Sequence, residues 1–160
     1  MKKRADELIR LLKLQPHPEG GFFAEVFRSP KSVRAKRGKR AAITTIYFLL
    51  QRGEMSRWHR VASDEIWHFI EGAVLRLHHV RPDFTGYQVH RVGPFRGKFK
   101  QPIAIIPAGD WQAAETTDDY SLVACDVGPG FDFGDFTLLR ENAAASERLA
   151  RRLPKLKALA

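Results

Sequence analysis

The chain has 160 residues, enough for one compact domain with a real core, and the composition of an ordinary globular protein. One cysteine, Cys125, excludes an intrachain disulfide, and the longest uncharged apolar stretch, residues 41–50, is far too short to span a bilayer. The formal charge of +9 sits mostly in residues 28–40, with seven basic and no acidic side chains, and at both ends; residues 41–139 hold nine basic against twelve acidic groups, which argues against a groove for nucleic acid.

Taken in order, residues 5–14 place Leu8, Ile9, Leu11, Leu12 and Leu14 on one side of a helix, with Asp6 and Glu7 in a first turn that suits the helix dipole. The run "QPHPEGG" stops that helix. Within it Glu19 has two readings, a reach toward a ligand or a place in the turn before the first strand, and His17 beside it carries little weight alone. Short β-runs follow, beginning with "FFAEVFRS" at Phe22. The basic segment 28–40 is expected to be a mobile, solvated loop. Then come "AAITTIYFLL", "MSRWHRV", "EIWHFIEG", "AVLRLHHV", "YQVHRVG", "QPIAIIPAG", "WQAAETT", "SLVACDV" and "FGDFTLL", divided by turns rich in Gly, Pro and Asp. Many short strands at regular spacing predict an all-β sandwich or barrel over residues 22–139, between an N-terminal helix and loop (1–21) and a helical tail (140–160) that starts near Glu141 and breaks at Pro154. Cys125, in an apolar run, reads as a buried small hydrophobe. No apolar signal core follows the basic N-terminus, and a cytoplasmic location is expected.

The segment "GEMSRWHRVASDEIWHFIEG", residues 53–72, carries the chemistry. If "RWHRV" and "EIWHF" are antiparallel neighbours joined by "ASD", His59 and Glu65 point to one interior. Alternation then puts Arg57 and Val61 with His59, and Trp67 and Phe69 with Glu65, while Ile66, His68 and Ile70 face away. This spacing resembles the first motif of the cupin superfamily at Gly53, His59, Glu65 and Gly72, with Val61 where the superfamily has a second metal-binding histidine. "PAGDWQ" is similar to the second motif at Pro107 and Gly109, with Gln112 in place of its histidine. The blocks "PHPEGGFF", "TTIYFLL", "IPAGDWQAAE" and "VGPGFDFGDF" look like the cupin_5 group, also called DUF985, and extend the similarity from Pro16 to Phe136. That resemblance implies a cupin jelly-roll barrel with flanking N- and C-terminal helices, usually a homodimer, of no established activity; kinship with sugar-epimerase-like cupins is implied by fold only.

A metal needs several converging ligands, and His59, Glu65 and Gln112 offer one nitrogen and two oxygens, a poor zinc site and a weak one for Mn, Fe or Ni. Without a metal, Glu65 facing His59 orients the imidazole and makes it a general acid or base near neutral pH. The plainer alternative is that both only hydrogen-bond within a polar pocket. Trp67 and Trp111 are candidates for an apolar wall, whereas Trp58, on the opposite side from His59, reads as core. Tyr47 is a proton donor only if its strand turns it inward. Asp132 caps the pocket mouth or orients His59, with turn capping the simpler role. His68 suits packing or a dimer contact, and His78, His79 and His90 read as surface residues. The expected pocket therefore comprises His59, Glu65, Arg57, Trp67, Phe69, Trp111, Gln112, Tyr47 and Asp132, holding a small polar ligand of sugar or nucleotide-sugar type. Epimerase or isomerase chemistry would also need a second proton-transferring group opposite His59, and none is evident. The alternatives are a non-catalytic binding barrel and a metal-dependent cupin enzyme with a reduced ligand set.

Overall fold

The computed structural model describes residues 2–95 and 101–159. Two antiparallel sheets enclose the core. One has the order β1 (Gln15–Pro16), β2 (Phe22–Arg28), β5 (Thr44–Gln51), β12 (Tyr120–Gly128), β7 (Asp64–Gly72) and β10 (Ile103–Ile106). The other has the order β13 (Phe136–Leu138), β6 (Met55–Val61), β11 (Trp111–Thr116), β8 (Leu75–Val80) and β9 (Gln88–Val92). Strand alternation explains the layering. In β5, Phe48 and Leu50 face an interior shared with Leu75, Leu77 and Val123, while Tyr47 and Leu49 face out.

A terminal helix covers each sheet. Helix α1 (Lys2–Leu11) lays Ala5 and Leu8 over Leu49 and Leu122, each fully buried leucine being worth about 1.5–3 kcal/mol. It begins earlier than its apolar pattern predicts, so Asp6 and Glu7 lie in mid-helix. Its first turn is fixed by Arg4, which donates to Glu71 on β7 at 2.8 and 2.9 Å and to Glu7 at 3.0 Å. It also ends earlier. Lys13 takes φ 53°, and the Leu14 amide turns back to the Ile9 carbonyl at 2.9 Å. Leu14 is thereby buried by the cap, whereas Leu11 is left 65% exposed. Helix α2 (Ala143–Arg152), capped by the Asn142 side chain on the Ala145 amide, packs Leu149 against Trp58 and Trp111 on the second sheet and against Leu139 in the turn after β13.

Two sequence expectations fail here. Strands β6 and β7 are not hydrogen-bonded neighbours; they belong to opposite sheets, and Ala62–Ser63 carries the chain across between them. The basic segment is not a free loop. It forms a hairpin, β3 (Ser32–Ala35) and β4 (Gly38–Ala41), tied down by Arg40 to the buried Asp135 at 2.7 and 3.2 Å and by Arg37 to the Gly134 carbonyl.

Candidate functional site

The interior is not packed solid. A cavity of about 330 Å³ opens between the sheets. Its buried base is formed by Glu19, His59, Glu65 and Trp67, and its exposed rim by Arg28, Asp132 and Phe133. Facing sheets, rather than adjacent strands, bring His59 and Glu65 into this space.

Glu19 reaches the base from the loop before β2. Two glycines make the approach possible. Gly20 has φ +111°, and a Cβ there would lie 2.1 Å from the Met55 carbonyl oxygen; Gly21 has φ +70°, and its Cβ would lie 2.7 Å from the Leu49 oxygen. The loop therefore presses against β5 and β6, and the Arg57 amide donates to the Glu19 carbonyl at 2.8 Å. The Glu19 carboxyl then accepts from the Ser56 hydroxyl at 2.8 Å and lies 3.2 Å from His59 Nε2 and 3.4 Å from His17 Nδ1.

Hydrogen bonding assigns the His59 tautomer. Its Nδ1 is 2.8 Å from the Arg57 carbonyl oxygen, which only accepts, so Nδ1 carries a proton and Nε2 faces Glu19. With the imidazole neutral, Nε2 carries no proton, and the Glu19 carboxyl at 3.2 Å is placed to give it one. Glu65 has a different setting: its Oε2 accepts from the Gln112 amide at 2.5 Å, and the Cys125 thiol lies beside it. Gln112 also accepts the Trp67 indole N–H at 3.0 Å.

Burial sets the protonation of this cluster. It pushes the Glu19 carboxyl up to about 7, against His17 and Ser56, which favour the ionised form. It pushes Glu65 up to about 7 as well, with Glu19 adding to the rise and His59, Gln112 and Cys125 opposing it. The same desolvation lowers His59 and His17 from their ordinary value, and it raises the Cys125 thiol so that no thiolate is on hand. The base of the cavity thus holds two carboxyls that change protonation near neutral pH beside imidazoles kept neutral by burial.

Of the predicted pocket residues, His59, Glu65, Trp67 and Asp132 line the cavity, and Gln112 stands behind Glu65 and Trp67. The other four lie away from it. Arg57 loses its inward position to a bulge: His59 pairs with Gln112 and Ser56 with Ala114, so Arg57 and Trp58 of β6 together oppose Ala113 of β11, and Ser56 turns in instead. Trp111 follows strict alternation from the inward Gln112 and packs outside with Phe84, under the Arg60 guanidinium at 4.8 Å. Tyr47 lies outside, under α1. Phe69 is inside the barrel but packs against the apolar core beyond the cavity. Asp132 caps a turn by accepting from the Gly134 amide at 2.7 Å, and it does not orient His59. His78 is buried against the Tyr87 hydroxyl, and His79 meets Asp110 at 2.7 Å and His90 at 3.3 Å, so these are not plain surface side chains. His68 lies on the outer face, 3.0 Å from Asp126. Sequence reasoning undervalued Glu19 and His17, and it missed Ser56 and the phenylalanines Phe23, Phe48 and Phe136 of the cavity wall. "PEGG" was the available signal for Glu19.

A family model, Cupin_5, described as cupin superfamily (DUF985), matches residues 6–139. The chain belongs to that family. A hypothetical protein from Leishmania major is 33% identical, with 97% of this chain and 95% of that one aligned at a TM-score of 0.83. A protein from Shewanella oneidensis is also 33% identical, covering 97% and 93% at 0.83. A cupin 2 conserved barrel domain protein from Rhodopseudomonas palustris, 14% identical over 91% and 87% at 0.60, shares the fold. No curated protein matches the sequence. The fold is thus a cupin barrel with short flanking helices.

Cupins often bind metals, but the donors present here do not fit one. Among the described residues no three His, Cys, Asp or Glu side chains are arranged to hold a metal ion. In the expected set, Gln112 has its amide oxygen on the Trp67 indole and its NH2 on Glu65, and Val61 in the cavity wall donates nothing.

Proposed function

We propose that this cupin binds a small, ring-bearing polar molecule of sugar type in its barrel and moves a proton on it, as an epimerase or isomerase does. One observation carries the reading: two carboxyls held up near 7 and an imidazole line one cavity with aromatic walls. Glu19, which the sequence did not reveal, pairs with His59 and so leaves Glu65 as the second proton-transferring group. His59 and Glu19 act as a one-proton relay, and Glu65, reached separately from the cavity, serves as the opposing acid or base. The cavity suits the ring of a nucleotide sugar better than its diphosphate, because among the described residues no lysine lines it and its one arginine is at the rim.

The test is proton exchange in D2O. Small ketoses and aldoses incubated with the protein should gain deuterium at the carbon next to the carbonyl. Glu65→Gln and His59→Ala should slow that exchange on the order of a hundredfold or more. Saturable binding with no exchange would instead assign a non-catalytic binding barrel, a reading favoured by the phenylalanine-rich wall.

We also propose that two copies associate through the outer face of the first sheet. Ile70, Ile103 and Ile105 are 42%, 46% and 57% exposed there, and β10 is an edge strand. Ile105→Lys should convert a dimer to a monomer in sedimentation. A cytoplasmic location is proposed from the free thiol of Cys125. No helix among the described residues is long and apolar enough to cross a membrane.

A further inference from the structure

We infer that the end of the ligand seated at the base of this cavity is an ammonium group carried on a ring, so that the site selects by charge among molecules of one shape. The inference rests on the small-molecule reading above and adds the chemistry of the ligand's buried pole.

The groups on the cavity wall decide its sign. Two carboxyls, Glu19 and Glu65, are buried at the base, and among the described residues neither has a lysine or arginine in contact; their partners are Ser56, His17 and His59 for one, and Gln112, Cys125 and, electrostatically, His59 for the other. Buried carboxylates without a cation are costly, and a ligand that brings a positive charge removes that cost. The only guanidinium on the wall among the described residues, that of Arg28, belongs to the rim. Its Nε and Nη2 are spent on the Glu25 carboxylate at 2.9 and 2.6 Å, and its Nη1 on the Phe131 carbonyl at 3.2 Å. Among the described residues no lysine or arginine stands at the base to hold an anion. The His59 Nδ1 proton is committed to the Arg57 carbonyl.

The wall above the carboxyls is aromatic. Phe23, Phe48, Trp67 and Phe136 present rings to the space, as does His17, whose ring centroid lies 4.6 Å from that of Phe23 and 5.8 Å from that of Phe136. Ring faces attract a cation and stack on a flat ligand, so walls and base favour the same molecule. A volume of about 330 Å³ admits one ring with a short side chain.

Three probes of one shape and three charges test this: benzylamine, benzyl alcohol and benzoate, titrated calorimetrically into the full chain at neutral pH. Benzylamine should bind on the order of tenfold tighter than benzyl alcohol, and benzoate weaker than either. Glu19→Gln and Glu65→Gln should each remove most of the amine's advantage while leaving the alcohol's affinity within about threefold, with near-UV circular dichroism confirming the fold. Glucosamine run alongside separates an amino sugar from an arylalkylamine as the source of the ammonium. Equal or tighter binding of the alcohol or the benzoate overturns the charge assignment alone if deuterium exchange persists. Failure of all the probes to bind, together with no exchange on any sugar, overturns the charge assignment and the site reading together.

Discussion

Gln112 holds two side chains in place at once, accepting the Trp67 indole proton and donating to Glu65. Gln112→Leu would leave both groups buried without partners, at a cost of about 2–5 kcal/mol in urea unfolding. A loss under about 1 kcal/mol would show that water replaces the amide and that the base is more open than described. Gly20 is the other sensitive position. Gly20→Ala strains a left-handed residue and drives its methyl into the Met55 carbonyl, so Glu19 should be withdrawn from the cavity and activity lost along with stability. His59, Glu65 and Gln112 were legible because motif spacing and strand alternation survive translation into a barrel. Arg57 was misplaced because a bulge resets alternation and leaves no mark in a single sequence. Glu19 was hardly legible at all: its value depends on a loop touching β6, a contact between residues 37 apart along the chain.

The strands were readable one by one, since each runs between Gly, Pro or Asp turns, but their partition into sheets was not. A short link such as Ala62–Ser63 looks the same whether it closes a hairpin or crosses between layers. The β3–β4 hairpin was hidden for another reason: a charge run has no apolar periodicity, and its order comes from partners elsewhere. Asp135→Asn should weaken both Arg40 bonds and speed amide exchange in residues 32–41 about tenfold or more, with the barrel amides unchanged. Unchanged hairpin protection would mean that Arg37 and the turn hold it alone. Under helix α1, Arg4 first and Tyr120 second hold the Glu71 carboxyl down at about 2. A depressed carboxyl stabilises the fold above its ordinary value of 4.5, and that contribution fades as pH falls toward 2. Glu71→Gln should therefore cost stability at neutral pH and nothing near pH 2. Because the pair is half exposed, the cost should be small.

For the molecule as a whole, the cavity writes itself into the pH dependence of folding. Between 4.5 and about 7 the folded chain keeps protons on Glu19 and Glu65 that the unfolded chain has released, so this contribution to stability declines as pH rises through that window. Each carboxyl accounts for up to about 3 kcal/mol. His17 and His59, held neutral by burial, act in the opposite sense below 6.5, and the two trends offset each other there. Comparison with a variant isolates the carboxyls: relative to the native protein, Glu65→Gln should gain stability steadily from pH 4.5 to 7, and a flat difference would count against a buried acid. The most direct measurement is a carbon-13 NMR titration of the glutamate side-chain carboxyls. Two resonances should titrate near 7, one vanishing in Glu19→Gln and the other in Glu65→Gln. If every glutamate instead titrates between about 4 and 5, the carboxyls at the base are solvated and ionised, and the closed proton-transfer site described for this cupin does not exist.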